Sequence, residues 1–179
     1  TLVRVAVDLK PRRVAELGIG SGCVSAALAR ELPDAEIVAL DCSPAALEIA
    51  RQNLAELGFA DRVTLVEASG LGELSGPFDL VVSNPPYVQE GDLAGLAPEL
   101  RHEPRVALDG GPDGLHAVRR LCAEAPALLE RPGHLALEIG LGQADAVEEL
   151  LRASGAAVVE RYPDLAGIPR VVVGRFLEI

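Results

Sequence analysis

The sequence predicts an α/β protein: a doubly wound, mostly parallel sheet of seven strands with one antiparallel strand and helices on both faces. Three observations lead there. Apolar runs of strand length alternate with segments of helical spacing along most of the 179 residues, the pattern of parallel strands joined by crossover helices. A glycine-rich loop, Gly18-Ile19-Gly20-Ser21-Gly22, falls between the first such strand and the helix after it, the position at which open sheets hold ligands. The chain is 49% hydrophobic but only 3% aromatic, with no Met or Trp. Its core is therefore built from Val, Leu, Ile and Ala, which suits buried strands covered by helices. The length fits one domain, residues 1–179.

The elements follow in order. An amphipathic stretch, Leu2 to Leu9, precedes the first strand, Arg13 to Leu17. After the glycine loop a helix is predicted from Val24 to about Leu32, then a strand from Glu36 to Leu40 that ends at Asp41. Ser43 is placed to cap a helix with Pro44 at its first position, and Leu47, Ala50 and Leu54 recur at helical spacing up to Gly58. Arg62 to Val66 and Phe78 to Val82 read as the third and fourth strands. Val88 to Gly114 reads as a long irregular region rich in Gly, Pro and charge, a candidate substrate loop. A helix is predicted over Leu115 to Leu129, interrupted or bent near Pro126, followed by a strand from His134 to Ile139 and a helix from about Gln143 to Ala153. The last two strands, Ala156 to Arg161 and Val171 to Phe176, are joined without a helix, so one of them runs antiparallel to the rest.

Charge and cysteine content exclude several classes. The 16 Lys+Arg against 27 Asp+Glu give a net charge of −11, and Lys10 is the sole lysine. That balance argues against a domain that binds nucleic acid directly, because neutralising phosphates needs a basic face. Cys23, Cys42 and Cys122 are odd in number and widely spaced, which predicts small buried thiols in a reducing compartment rather than disulfides or a zinc site. No apolar run of membrane-spanning length and no signal-like segment is present, so a soluble cytoplasmic protein is expected. The sequence starts at Thr1 rather than at a methionine, as a fragment that has lost an N-terminal part would.

Chemistry concentrates at two places. Val81-Val82-Ser83-Asn84-Pro85-Pro86-Tyr87 ends an apolar strand in an amide and a proline carbonyl, and Asn84 is one of only two asparagines, the other being Asn53. The Asn84 side-chain oxygen and the Pro85 carbonyl are two acceptors able to grip both hydrogens of an –NH2 group. A planar amine or amide nitrogen is a poor nucleophile until it is aimed and polarised, which such a grip does. Tyr87 is placed to wall the pocket. Read alone, Asn-Pro-Pro is equally a turn that closes a strand.

The second place is the glycine loop. Gly18, Gly20 and Gly22 let backbone approach a ligand, with helix N-terminal amides pointing at it. Asp41 ends the next strand, where a carboxylate accepts from ribose hydroxyls; the plain alternative is a helix cap. The loop departs from a dinucleotide fingerprint, which has Gly or Ala where Cys23 stands. Glu16 just before it would repel a pyrophosphate and attract an ammonium group; the plain alternative is a solvated charge at a strand end.

With Glu16-Leu17-Gly18-Ile19-Gly20-Ser21-Gly22, Asp41-Cys42-Ser43-Pro44-Ala45-Ala46-Leu47 with Ala50 and Asn53, and Ser83-Asn84-Pro85-Pro86-Tyr87, the chain resembles the class I methyltransferases. More narrowly it is similar to the protein-(glutamine-N5) methyltransferases that modify peptide chain release factors. Glu103-Pro104 with Ala107-Leu108, the Gly110-Gly111-Pro112-Asp113-Gly114-Leu115 run, and Glu138-Ile139-Gly140 followed by Gln143 extend the similarity over nearly the whole chain.

The resemblance implies the Rossmann-like sheet of class I methyltransferases. It also implies S-adenosylmethionine as cofactor, with S-adenosylhomocysteine as product, and an acceptor glutamine in the Gly-Gly-Gln loop of a release factor. Gly18 and Gly20, with Gly22 closing the loop, would border the methionine part, Glu16 would lie near its ammonium and Asp41 would bind the ribose. Asn84 and the Pro85 carbonyl would hold the glutamine amide where it meets the cofactor, with Tyr87 beside them. No metal is implied. Two departures stand out. The family's small helical N-terminal domain, which helps dock the release factor, has no counterpart here, so the sequence reads as the catalytic domain alone. Many members also carry an acidic residue on the adenine side, where this chain has Ser69-Gly70; Glu67 or a backbone amide is left to replace it.

Competing readings remain at this level. An exocyclic amine of adenine (N6) or guanine (N2) on a flipped base would meet the same acceptor pair. A non-catalytic nucleoside-binding module would bind cofactor without turnover, and a nicotinamide dehydrogenase would use the same loop differently.

Overall fold

A computed structural model of the protein describes residues 1–97 and 103–178. Seven strands, β1 (Arg13–Leu17), β2 (Glu36–Asp41), β3 (Val63–Glu67), β4 (Phe78–Ser83), β5 (Leu129–Glu138), β6 (Val158–Pro163) and β7 (Pro169–Phe176), form one sheet. Its order is β3-β2-β1-β4-β5-β7-β6. The first five strands are mutually parallel, and β7 runs antiparallel to both β5 and β6. The hairpin between β6 and β7 accounts for this reversal, as the missing crossover helix predicts.

Alternation along the strands builds two cores. Val14, Ile37, Ala39, Leu80, Val82, Ala136, Val171 and Val173 pack on one face, under α1 (Leu2–Asp8), α2 (Cys23–Glu31) and α3 (Pro44–Glu56). Ala15, Leu40, Val81, Leu135, Leu137 and Val172 pack on the other, under α5 (His116–Glu124) and α6 (Ala144–Ala153). Central strands buried on both faces need near-continuous apolar runs, which is what Leu80-Val81-Val82 and Leu135-Ala136-Leu137 supply. Ser43 caps α3 by accepting from the Ala46 amide at 3.2 Å, with Pro44 at the first helical position.

The topology places the site. The chain leaves β1 toward β2 and β3 on one side, then returns to lay β4 against β1 on the other. Ligands of open α/β sheets bind at this reversal, beyond the carboxyl ends of the strands. Leu17 and Ser83, the last residues of β1 and β4, are register partners. The glycine loop and Asn84-Pro85-Pro86-Tyr87 therefore leave the sheet side by side.

Three expectations are corrected. The helix predicted over Leu115 to Leu129 is interrupted rather than bent near Pro126 and does not resume: it ends at Glu124, and a 3-10 turn covers Ala125–Ala127. Pro126 has no amide hydrogen to continue the ladder, and β5 already begins at Leu129, paired with Phe78. Of the three cysteines only Cys122 is buried; Cys23 and Cys42 are exposed, because both sit where the chain leaves the sheet at the ligand end.

The third concerns the stretch from Val88 to Gly114, whose residues 98–102 lie outside the described residues. Much of the remainder is ordered by bonds. A 3-10 segment spans Glu90–Gly95 and a short helix, α4, spans Arg105–Leu108. Val88 donates to Leu108 O at 2.9 Å and accepts from Gly110 N at 2.8 Å. Arg105 pairs with both Glu90 and Asp109. Among the described residues no helix is long and apolar enough to cross a membrane.

Candidate active site

Glu16 is 2% exposed. It lies on β1 between β2 and β4, in the middle of the sheet, so the reading of a solvated strand-end charge does not hold. The Ser25 hydroxyl, from the first turns of α2, donates to its carboxyl. Burial pushes that carboxyl up to about 8, with Asp41 adding in the same direction. A buried carboxyl in this state accepts a cation readily, since an ammonium beside it restores the charged form.

The loop above Glu16 is made by conformation. Gly18, Gly20 and Gly22 have φ of 78°, 54° and 85°, values that side chains with a Cβ rarely adopt. A Cβ at Gly18 or Gly20 would meet nothing within 4 Å, so the space over the loop is open, whereas one at Gly22 would come to 3.4 Å from Ala50. Asp41, at the end of β2, accepts from Gly20 N and Ser43 N, each at 3.0 Å. It thus fixes the loop, while Ser43 rather than Asp41 caps α3. Asn53 on α3 donates to Ser21 O at 2.8 Å and holds the loop from its other side.

After β3, the Ser69 amide donates to Glu73 and the Leu71 amide to Glu124. Both carboxylates belong to the chain's own loop ordering.

Across the crevice, Asn84 is exposed while Pro85 is buried and Tyr87 half-buried. The Tyr87 ring lies against Gly140, where a Cβ would come within 3.1 Å of it. The remaining motif charges divide. Asp113 accepts from Leu115 N at 3.2 Å and pairs with Arg119, whose hydrogen bonds hold its carboxyl down to about 2; it orders its loop. Glu138 ends β5 half-buried, and burial pushes its carboxyl up. Glu103 is exposed.

All the residues singled out from the sequence, Glu16, Gly18, Gly20, Gly22, Asp41, Asn84, Pro85 and Tyr87, therefore lie at the carboxyl edge of β1, β2 and β4. Sequence reasoning missed Ser25 under Glu16, and it named Ser83 and Gln143 as motif residues without showing that Ser83 ties the end of β4 to Leu17 or that Gln143 holds Tyr87. For Asn53 the rarity of amides was a usable signal. For Ser25 none existed. Among the described residues no group of three or more His, Cys, Asp or Glu is placed to hold a metal ion.

A seven-stranded sheet of this order, opened at β1 and β4 above a glycine loop, defines the class: a methyltransferase fold. A solved methyltransferase from Pyrococcus furiosus matches with a TM-score of 0.71 at 19% identity, over 98% of this chain and 82% of that one. The chain belongs to the methyltransferase small domain family, whose model matches residues 2–111. Two curated relatives named release factor glutamine methyltransferase are each 49% identical to it. The one from Bradyrhizobium diazoefficiens aligns over 166 residues, 91% of this chain and 56% of that protein. The one from Moorella thermoacetica aligns over 159 residues, 88% of this chain and 56% of that protein. The chain thus spans little more than half the length of these relatives.

Proposed function

We propose that the protein transfers a methyl group from S-adenosylmethionine to the side-chain amide nitrogen of the glutamine in the Gly-Gly-Gln loop of peptide chain release factors. The observation behind this reading is the junction of two loops: the glycine loop after β1 and Asn84-Pro85-Pro86-Tyr87 after β4 are held together at Leu17 and Ser83. The names of the 49% identical relatives support the same substrate. The reading implies a cytoplasmic protein.

The residues suit the cofactor. Open space over Gly18 and Gly20 admits it, the buried Glu16 carboxyl suits an ammonium, and Asp41 keeps acceptor capacity for ribose hydroxyls beyond its two amide bonds. S-adenosylmethionine supplies an electrophilic methyl group on a sulfonium.

The chain's own contribution is orientation. The Asn84 carboxamide oxygen and the Pro85 carbonyl accept the two hydrogens of the glutamine –NH2, aim its nitrogen at the methyl and let its lone pair build up. Tyr87 and the apolar strand end limit water around the amide. The nitrogen loses its extra proton to water after transfer, so no strong base is required. Incubation of the protein with S-adenosylmethionine and a release factor, followed by fragmentation mass spectrometry, tests the reading. It predicts one methyl on the Gly-Gly-Gln glutamine amide; a methyl elsewhere, or none, refutes it.

A further inference from the structure

Gln143 stands at the start of α6, outside every contact assigned above to cofactor or acceptor, and its side chain is buried. The amide is nearly used up by backbone. Its Nε2 donates to Tyr87 O at 3.0 Å and to Gly114 O at 3.2 Å, and its Oε1 accepts from Gly140 N at 2.8 Å. These three groups come from three different connections: the segment after β4, the turn before α5 and the turn after β5. The packing leaves no room for alternatives. A Cβ on Gly114 would collide with Tyr87 O and come within 2.6 Å of Gln143 Nε2, and one on Gly140 would come within 3.0 Å of Gln143 Oε1.

We propose that Gln143 is a positioning residue for methyl transfer: by holding the Tyr87 carbonyl it sets where Asn84 and the Pro85 carbonyl stand. This rests on the amide-methylation reading above. Asn84 is exposed, so core packing does not fix it; the two ends of its short segment do. At one end Ser83 is tied into the sheet and donates to Leu17 O at 2.7 Å. At the other, Gln143 holds Tyr87. Between them Pro85 and Pro86 have locked φ angles, so few soft torsions remain and a shift at Tyr87 passes back to Asn84. Displacement of a positioning group by about 1 Å costs on the order of a hundred-fold in rate. Gln143 is suited to the task because only a carboxamide offers two donors and an acceptor in one plane. A carboxylate there would face two carbonyl oxygens, and an apolar side chain would leave two buried backbone groups and the part-buried Tyr87 carbonyl without this partner.

The test uses the full chain with Tyr162→Phe, which leaves Tyr87 as the only tyrosine in a protein without Trp. Gln143→Met is compared with its parent by time-resolved tyrosine anisotropy, by calorimetric titration with S-adenosylmethionine, and by the kinetics of methyl transfer to a release factor. The expected result is faster Tyr87 depolarisation, cofactor affinity within about twofold, and a kcat lower by about tenfold or more with KM for the release factor within about threefold. A merely structural role would lower thermal stability and leave kcat per folded molecule unchanged. If Gln143→Met does not fold, Gln143→Asn, which keeps the amide but is one methylene too short to reach both carbonyls, carries the same expectation. Parent-like anisotropy in a folded variant overturns the clamp whether or not the parent turns over, and parent-like kcat overturns the positioning role. Absence of transfer by the parent instead refutes the release-factor reading on which the proposal rests.

Discussion

The Ser83 hydroxyl donates to the Leu17 carbonyl at 2.7 Å, across the reversal point of the sheet and between the last residues of β1 and β4. Ser83 is 1% exposed, so water does not compete for this bond. It joins the strand that leads into the glycine loop to the strand that leads into Asn84. Ser83→Ala is expected to cost about 1 kcal/mol of stability, seen as a lower unfolding midpoint. Because the bond also sets the spacing of the two half-sites, turnover should fall several-fold while cofactor affinity holds. Parent-like turnover would show that the strand ladder alone sets that spacing.

Asn84→Ala removes one acceptor from the pair proposed to grip the glutamine amide. Turnover is expected to fall on the order of a hundred-fold or more, with cofactor affinity changed only a few-fold. Steady-state kinetics beside a binding titration separate the two. Unchanged turnover would reduce Asn84 to part of a turn.

Asp41→Ala should act on binding instead. The carboxylate is proposed to accept from the ribose, and it also holds Gly20 N and Ser43 N, so its loss both removes a partner and loosens the loop. Cofactor affinity should weaken by roughly 1–3 kcal/mol. Calorimetry giving equal affinity would refute the assignment.

Glu16 predicts a proton. Its folded pKa of about 8 is raised from an ordinary value of 4.5. The stabilisation from its neutral form is therefore complete below the ordinary value and is lost as pH rises through about 8. At pH 6.5 the free protein holds the carboxyl protonated, and an ammonium docked beside it drives ionisation. S-adenosylmethionine binding should therefore release about one proton, and affinity should rise with pH between about 6 and 8. Titration in buffers of different ionisation enthalpy measures the release, and Glu16→Gln should abolish it. Binding with no proton exchange in the parent would place the ammonium elsewhere.

The sheet was legible because its central strands carry apolar runs such as Leu80-Val81-Val82 and Leu135-Ala136-Leu137, and the meeting of the glycine loop with Asn84 was legible because both stand at strand ends. What escaped it was mostly long range. The burial of Glu16 follows from β1 lying between β2 and β4, which no local pattern states. The bonds from Ser83 to Leu17 and from Gln143 to Tyr87 join residues 66 and 56 positions apart, so the motifs that contain both donors do not state their partners. Cys23 and Cys42 were misjudged as buried because small apolar residues usually are, whereas the ligand end of this sheet leaves them open. Pro126 interrupts some helices and bends others, so the sequence leaves both open there, and only the pairing of Leu129 with Phe78 decides between them.

The central claim, amide methylation of a release factor, is tested most directly by transfer of labelled methyl from S-adenosylmethionine. The substrates are an intact release factor, the same factor with its Gly-Gly-Gln glutamine changed to alanine, and a nucleic acid. The account predicts label on the intact factor alone. Label on the alanine version or on the nucleic acid, with none specific to the glutamine, would contradict it.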